Sequence, residues 1–384
     1  MEAILFYLAV ITLVLLLVLA IEAGLGNRSI GFLKDKVPSQ QVPGPRVSVL
    51  IPARNEEHKI QEGLTSVLAQ DYENLEIIVL DDRSSDGTGQ ILSQMESRHP
   101  HLRVFRILEL PAGWIGKNHA LSFGAQCARG ELLLFTDADV VMHPSTLRRS
   151  VAYLLESRLD HLTLTPDVKS PGIALQILVG VFSIFFAFFV KPWKVKDPQS
   201  SRFVGIGAFN LVRKEVYLAV GTHQAIAMRP DDDLKLGKLI KKNGYRQELL
   251  FGKGMLHVEW YSSVRELSQG LMKNMFAGVD YRISAVLAGT VVLLLLGWWP
   301  FAGVLLTDGV TRVLNLAIVV LIWGICWKSS KLTSLKPWFG LGFPLGALFF
   351  VYIQWKAMLT AFLTNGIDWR GTHYSLEELK ANKV

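Results

Sequence analysis

Val47-Ser48-Val49-Leu50-Ile51-Pro52-Ala53-Arg54-Asn55-Glu56-Glu57 begins as a short, nearly continuous apolar run rich in β-branched residues and then turns polar. Such a run reads as a parallel strand buried on both faces, stopping at Pro52. The same pattern recurs downstream. Leu75–Leu80, Leu102–Ile107 and Leu132–Thr136 read as strands, while Glu57–Gln70, Thr88–Arg98 and Asn118–Ala128 show helical spacing. In the first helix Ile60, Leu64, Val67 and Leu68 share a face. Strand and helix alternating at this length specify an α/β fold with a mostly parallel sheet and helices on both faces. Ligands of such sheets bind beyond the carboxyl ends of the strands.

Outside this body the chain is greasy. Of 384 residues, 50% are hydrophobic and 19% charged, against about 25% charged in a soluble domain. Ala3–Ile21 carries no charge over 19 residues, Ile283–Leu306 over 24, Val313–Trp327 over 15 and Pro337–Trp355 over 19. Runs near ~20 residues are long enough to cross a bilayer. The expected organisation is an N-terminal transmembrane anchor over 1–25, a polar cytoplasmic body over 44–275, C-terminal transmembrane helices over 283–362 and a tail over 363–384. Arg28, Lys34, Lys36 and Arg46 after the first span, and Lys328, Lys331 and Lys336 in a later loop, place both segments on the cytoplasmic side.

Pro171–Val190 is uncharged over 20 residues as well. A full crossing there would put the acidic motifs before and after it on opposite sides of the membrane. It is therefore read as an interfacial helix over 171–190, with Lys191, Lys194 and Lys196 at the anionic surface. The net charge of +7 is taken up by such basic flanks. No basic stripe interleaved with aromatics is present, and a nucleic-acid partner is not expected. Two cysteines, Cys127 and Cys326, make no disulfide framework.

The strand ends carry the chemistry. Asp81 and Asp82 follow the second strand, and Asp137-Ala138-Asp139 follows the strand at 132–136. Carboxylates there can hold one hard divalent cation that also ligates a diphosphate and neutralises it as a leaving group.

IPARNEE, VLDDRSSDGT, GWIGKNHAL and LLLFTDADV occur in the order and spacing of family 2 glycosyltransferases, and the chain resembles that family over residues 44–275. The resemblance implies the GT-A fold, a Rossmann-like α/β domain. GWIGKNHA, the interfacial run, Lys273-Asn274 ahead of three apolar runs, and the final WRGTHY look like the membrane-bound lipid glycosyltransferases. Ceramide glucosyltransferases and bacterial hopanoid- or carotenoid-associated enzymes are the subgroup it resembles. That implies an integral protein of a bacterial inner membrane with its catalytic domain in the cytoplasm.

Carried over by position, the family pattern implies that Pro52, Arg54 and Glu56 line the base and ribose. Asp82, with Asp81 beside it, would contact the base. Lys117 would approach the phosphates, Asp137 the ribose or sugar, and Asp139 would ligate Mg²⁺ or Mn²⁺. Gly207, within Gly205–Phe209, would lie beside the donor sugar. In Asp231-Asp232-Asp233 the alignment makes Asp233 the general base, with Asp232 in reserve, while Asp231 suits the dipole of a helix N-terminus. The Gln- or Arg-x-x-Arg-Trp motif of processive synthases is missing. Lys273 stands in its place as a cation for the diphosphate, with no Trp after it.

The implied activity is inverting transfer of a sugar from a nucleotide-diphosphate donor, expected to be UDP-linked, to a hydroxyl of a membrane lipid. The alternatives are a processive polysaccharide synthase and an inactive nucleotide-sugar-binding membrane protein.

Overall fold

The computed structural model describes residues 1–37 and 44–384. The chain divides into two compact units. An α/β unit comprises Ile30–Asp167, Pro192–Glu259 and Ala381–Val384, and a helical unit comprises Met1–Ser29, Val168–Lys191 and Trp260–Lys380.

In chain order the strands before Trp260 are β1 (Val47–Ala53), β2 (Leu75–Asp82), β3 (Leu102–Ile107), β4 (Leu132–Phe135), β5 (Val141–Met142), β6 (His161–Thr165), β7 (Asp167–Lys169), β8 (Asn210–Arg213), β9 (Gln247–Phe251) and β10 (Leu256–Glu259). Seven of them form one sheet in the order β3-β2-β1-β4-β8-β6-β9. Pairings β1–β2, β1–β4, β2–β3 and β6–β9 are parallel. The antiparallel strand β8 joins the two parallel groups. β5 and β10 pair antiparallel in a small second sheet.

The apolar strands are where they are because both faces of the sheet are covered. Leu50, Ile78, Leu80, Leu133 and Val212 are buried together with Leu121 and Ala125 of the helix Gly116–Cys127 and Leu236 and Ile240 of the helix Asp232–Lys242. On the helix Ile60–Leu68 the buried positions Ile60, Gly63, Leu64 and Val67 follow one face, as a 3.6-residue repeat requires.

β1 does not stop at Pro52 but continues to Ala53. The Leu50 carbonyl faces β4, where it accepts from the Thr136 amide at 3.2 Å. Pro52, two residues on, faces the same side beyond the end of β4, so its missing N–H leaves no gap in a ladder. β2 likewise runs through both aspartates to Asp82.

Within the α/β unit the last residues close back on the body. Asn382 accepts from the Met228 amide at 3.0 Å and donates to the Ala225 carbonyl at 3.0 Å.

Among the described residues five stretches are long and apolar enough to cross a membrane, Glu2–Ser29, Gly172–Lys194, Ile283–Leu306, Gly309–Leu332 and Pro337–Leu363, and all but the last three residues of the second belong to the helical unit. Val181, Leu267, Ile318, Phe339 and Ile353 are among its buried residues. The third stretch is interrupted by a π-helical turn at Leu293–Trp298, directly before Trp299-Pro300. A proline there can neither donate to nor sterically tolerate the carbonyl four residues back, and the widened turn accommodates it. Thr290 accepts from Gln354 Nε2 at 2.7 Å and Trp355 Nε1 at 2.9 Å, so these three polar side chains of two apolar helices satisfy one another. The WRGTHY segment is a hairpin, Gly366–Trp369 against Thr372–Ser375. Its turn, Arg370-Gly371, is left-handed at both residues, which matches the twist of a tight two-residue turn.

Candidate active site

At the carboxyl ends of β1 and β2 two polar loops are stitched together. Asn55 donates through its amide to Ser84 Oγ at 3.1 Å and accepts from the Ser85 amide at 2.8 Å. The Glu56 amide donates to Thr88 Oγ1 at 2.8 Å, and Glu57 Oε2 accepts from the Gly87 amide at 2.7 Å. Asn55 and Arg83 are both left-handed, with φ of 55° and 58°. Non-glycine residues hold such conformations when the surroundings over-determine them. Asp82 lies on this rim, buried, receiving a forked pair of bonds from Arg83 at 2.7 and 3.0 Å, with Arg54 3.7 Å away. Asp81 is on the opposite face of the strand, as alternation demands, and accepts from the Ser84 amide at 3.3 Å.

Part of the site is a small recess lined by Pro52, Lys117, Asp137, Gly207, Asp232 and Asp233, among others. Lys117, from the first turn of its helix, lies 2.9 Å from Asp137 and 3.5 Å from Asp232. Burial works against its charge, but Asp137, Asp232 and Asp233 outweigh burial and hold the ammonium well above the usual lysine range.

Asp233 Oδ2 accepts from the Gly207 amide at 2.7 Å, and Oδ1 from the Leu234 amide at 2.7 Å. Burial and the neighbouring Asp232 raise the Asp233 carboxyl above the ordinary range, against the pull of Lys117. A Cβ on Gly207 would stand 2.6 Å from Asp137 Oδ2, and one on Gly205 would run into the Asp233 backbone. Gly205 lets the 205–207 segment close on the helix that bears Asp232 and Asp233, and Gly207 lets it lie against Asp137.

Asp231 has another task. It is buried, takes two bonds from the buried Arg229 at 2.9 and 3.1 Å, and has Lys235 3.6 Å away. The segment before it is held by Asn118, whose Nδ2 reaches the carbonyls of Ile226, Ala227 and Arg229 at 2.8, 3.2 and 2.9 Å. Arg229 does not stand out in the sequence, although its partner is only two residues on, and Asn118, inside GWIGKNHAL, acts on carbonyls that only the fold brings near.

Asp139 lies 3.9 Å from Lys59. Its carboxyl is pushed up to about 7, by burial first and then by the charges of Asp137 and Glu56, with Lys59 opposing. Among the described residues, no three His, Cys, Asp or Glu side chains converge to hold an ion by themselves. Mg²⁺ and Mn²⁺ sites of this class use one or two carboxylates and complete the shell with substrate phosphates and water. Hard oxygen donors that repel one another at Asp139, Asp137 and Glu56 fit such a cation. His223 is buried against Tyr217 Oη at 2.8 Å and burial takes its pKa down to about 3. Lys273 belongs to the helical unit, where its Nζ sits 3.8 Å over the ring of Trp369.

The family model for glycosyl transferase family 2 matches residues 48–220. A 4,4'-diaponeurosporenoate glycosyltransferase of Staphylococcus haemolyticus is 24% identical over 241 residues, 61% of this chain and 62% of that protein. A poly-beta-1,6-N-acetyl-D-glucosamine synthase of Staphylococcus epidermidis is 36% identical over 201 residues, 51% of this chain and 45% of that protein. The chain thus spans less than two thirds of the length of these curated relatives. Among solved structures, a mannosyltransferase of Pyrobaculum calidifontis, in complex with GDP-Man and Mn²⁺, superposes with a TM-score of 0.55 at 18% identity. The match covers 94% of this chain and 98% of that one, a likeness of fold.

Proposed function

We propose, the α/β unit being a family 2 glycosyltransferase domain of GT-A fold, that this protein transfers a sugar from a nucleoside diphosphate to a hydroxyl of a membrane lipid, inverting the anomeric centre. The observation that carries the chemistry is the recess where Lys117, Asp137, Gly207, Asp232 and Asp233 meet. A carboxylate with a raised pKa, fixed by a backbone amide and facing a buried cation, is what a general base for a hydroxyl needs.

In this reading Pro52, Arg54, Glu56 and Asp82 orient the base and ribose on the stitched rim. Lys117 offers its charge to the phosphates, and Asp137 meets the ribose or sugar. Asp139, with Asp137 and Glu56 beside it, would hold Mg²⁺ or Mn²⁺, which supplies charge neutralisation for the departing diphosphate. Asp233 takes the proton of the acceptor hydroxyl as its oxygen bonds to the anomeric carbon and the bond to the diphosphate breaks. One displacement inverts the centre. Asp232 shares the site but is committed to Lys117.

Membrane attachment is supported by the five long apolar helices among the described residues; because Ala381–Val384 rejoins the α/β unit, we assign complete crossings to an even number of the three C-terminal ones. The chain leaves the α/β unit at Asp167 and re-enters it at Pro192. A single complete crossing by Gly172–Val190 would put the two parts of that unit on opposite sides, so we assign this helix to the interface. We place the α/β unit in the cytoplasm, following the basic flanks.

A second reading, a processive synthase, is favoured by the likeness to the poly-N-acetylglucosamine synthase. Product analysis separates the two. Protein purified in detergent is offered labelled UDP- and GDP-sugars, Mn²⁺ or Mg²⁺, and a total lipid extract. Metal-dependent label in single-sugar lipids, lost in Asp233→Asn and Asp139→Asn, is expected. A labelled polymer would replace this reading with the second, and no turnover of any donor would refute both.

A further inference from the structure

Starting from Asn210 in the wall of the recess, three side chains at most 2% exposed form one hydrogen-bonded chain: Asn210, His161 and Gln247. Asn210 Oδ1 accepts from the Ile206 amide at 3.3 Å and meets His161 Nε2 at 3.0 Å. An oxygen there obliges Nε2 to carry the hydrogen, which leaves Nδ1 bare to accept from Gln247 Nε2 at 2.7 Å. The second hydrogen of that amide goes to the Gly237 carbonyl at 3.1 Å, and Gln247 Oε1 accepts from the Val204 amide at 2.9 Å. Burial takes the imidazole down to about 4, so it stays neutral and the direction of every bond is fixed.

The free ends of this chain are what matters. Two grip the backbone on either side of Gly205, at Val204 and Ile206. The third grips Gly237, in the helix whose first turn carries Asp232 and Asp233. Strands β6, β8 and β9 are already joined through their own backbones, so the sheet does not need these side chains to pair. Apolar groups of similar volume would fill the space without the cost of burying three polar ones.

We propose that Asn210, His161 and Gln247 are positioning residues for sugar transfer: together they clamp the 204–207 segment against the helix of Asp233 and so set where the Gly207 amide meets the Asp233 carboxylate. This rests on the reading of Asp233 as base.

The test uses the full-length protein in detergent. Asn210→Leu removes the acceptor, Asn210→Asp keeps it, and Gln247→Glu keeps the shape and the Val204 bond while losing both donors. Turnover is measured with the active nucleotide sugar, and amide hydrogen exchange is followed by mass spectrometry in peptides covering 203–208. Asn210→Leu and Gln247→Glu should exchange faster there and lose about 10- to 100-fold in kcat, with the donor KM within about twofold, consistent with catalysis lost through small misplacement. Asn210→Asp should stay within about threefold of wild type on both readouts. Unchanged exchange, or faster exchange with wild-type kcat, overturns the proposal. Gln247→Glu decides the matter alone if Asn210→Leu does not fold. A wild type that turns over no nucleotide sugar would refute the transfer reading, whereas the exchange rates still decide whether the clamp exists.

Discussion

Replacing Asp139 with Asn removes a carboxyl that the folded protein holds at a cost. Its pKa is 3.8 when unperturbed and about 7 in the fold. The folded state therefore binds this proton more tightly than the unfolded chain. The stability it contributes is complete below about pH 4 and is lost as the pH climbs through about 7. At about 1.4 kcal/mol per pH unit the loss by pH 8 is at most about 4 kcal/mol. With roughly 2–4 °C per kcal/mol for a domain of this size, the metal-free wild type should lose on the order of 5–10 °C of melting temperature between pH 5 and pH 8 beyond whatever Asp139→Asn loses. Mn²⁺ at pH 8 should restore this in the wild type, by about 2.7 kcal/mol at a hundredfold excess over its Kd, and should do little for the variant. Tryptophan-fluorescence melts in detergent, with EDTA or Mn²⁺, read all of this. Parallel melting of the two proteins across that pH range would show that Asp139 is not strained in the fold, and the reasoning that makes it a cation ligand would fail.

Other consequences are simpler to state. Lys117→Met strips Asp137 and Asp232 of their shared cation and should lower kcat about 100-fold or more, measured by nucleotide release; activity within threefold would exclude Lys117 from the chemistry. Gly205→Ala drives a methyl group into the backbone of Asp233 and should cost about 1–3 kcal/mol, visible as a melting point several degrees lower together with loss of turnover. An unchanged melting point would mean the segment and the helix are not in close contact. Because Asn382 is bonded into the α/β unit, Lys383→Cys should react with an impermeant maleimide only after cells are permeabilised. Labelling of intact cells would place the α/β unit outside.

The strands β1, β2 and β4 are legible in the sequence because burial on both faces leaves an unbroken apolar run, and Asp82, Asp137 and Asp139 are legible because they stand where such runs end. The antiparallel strand β8 is not, since nothing local in Asn210–Arg213 tells that it will lie between β4 and β6. The acidic triplet is legible as a group, and its division of labour only through the family resemblance, not from the three residues themselves. Asp231 and Asp233 differ only by their partners, Arg229 for one and the Gly207 amide for the other, and the latter is 26 residues away in sequence. His161, Asn210 and Gln247 are silent for the same reason, being separated by 49 and 86 residues from the partners His161 meets. The departure at Lys273, where no tryptophan follows, looks different in three dimensions, because Trp369 supplies a ring to that lysine from almost a hundred positions on.

The central claim is a single displacement at the anomeric carbon, with Asp233 taking the proton. Proton NMR of the glycolipid made from an α-linked nucleotide sugar tests it most directly. A β-anomer, with the large axial–axial coupling of a gluco-configured sugar, is the predicted product. An α-anomer would require two displacements or a front-face route, and would contradict the assignment of Asp233.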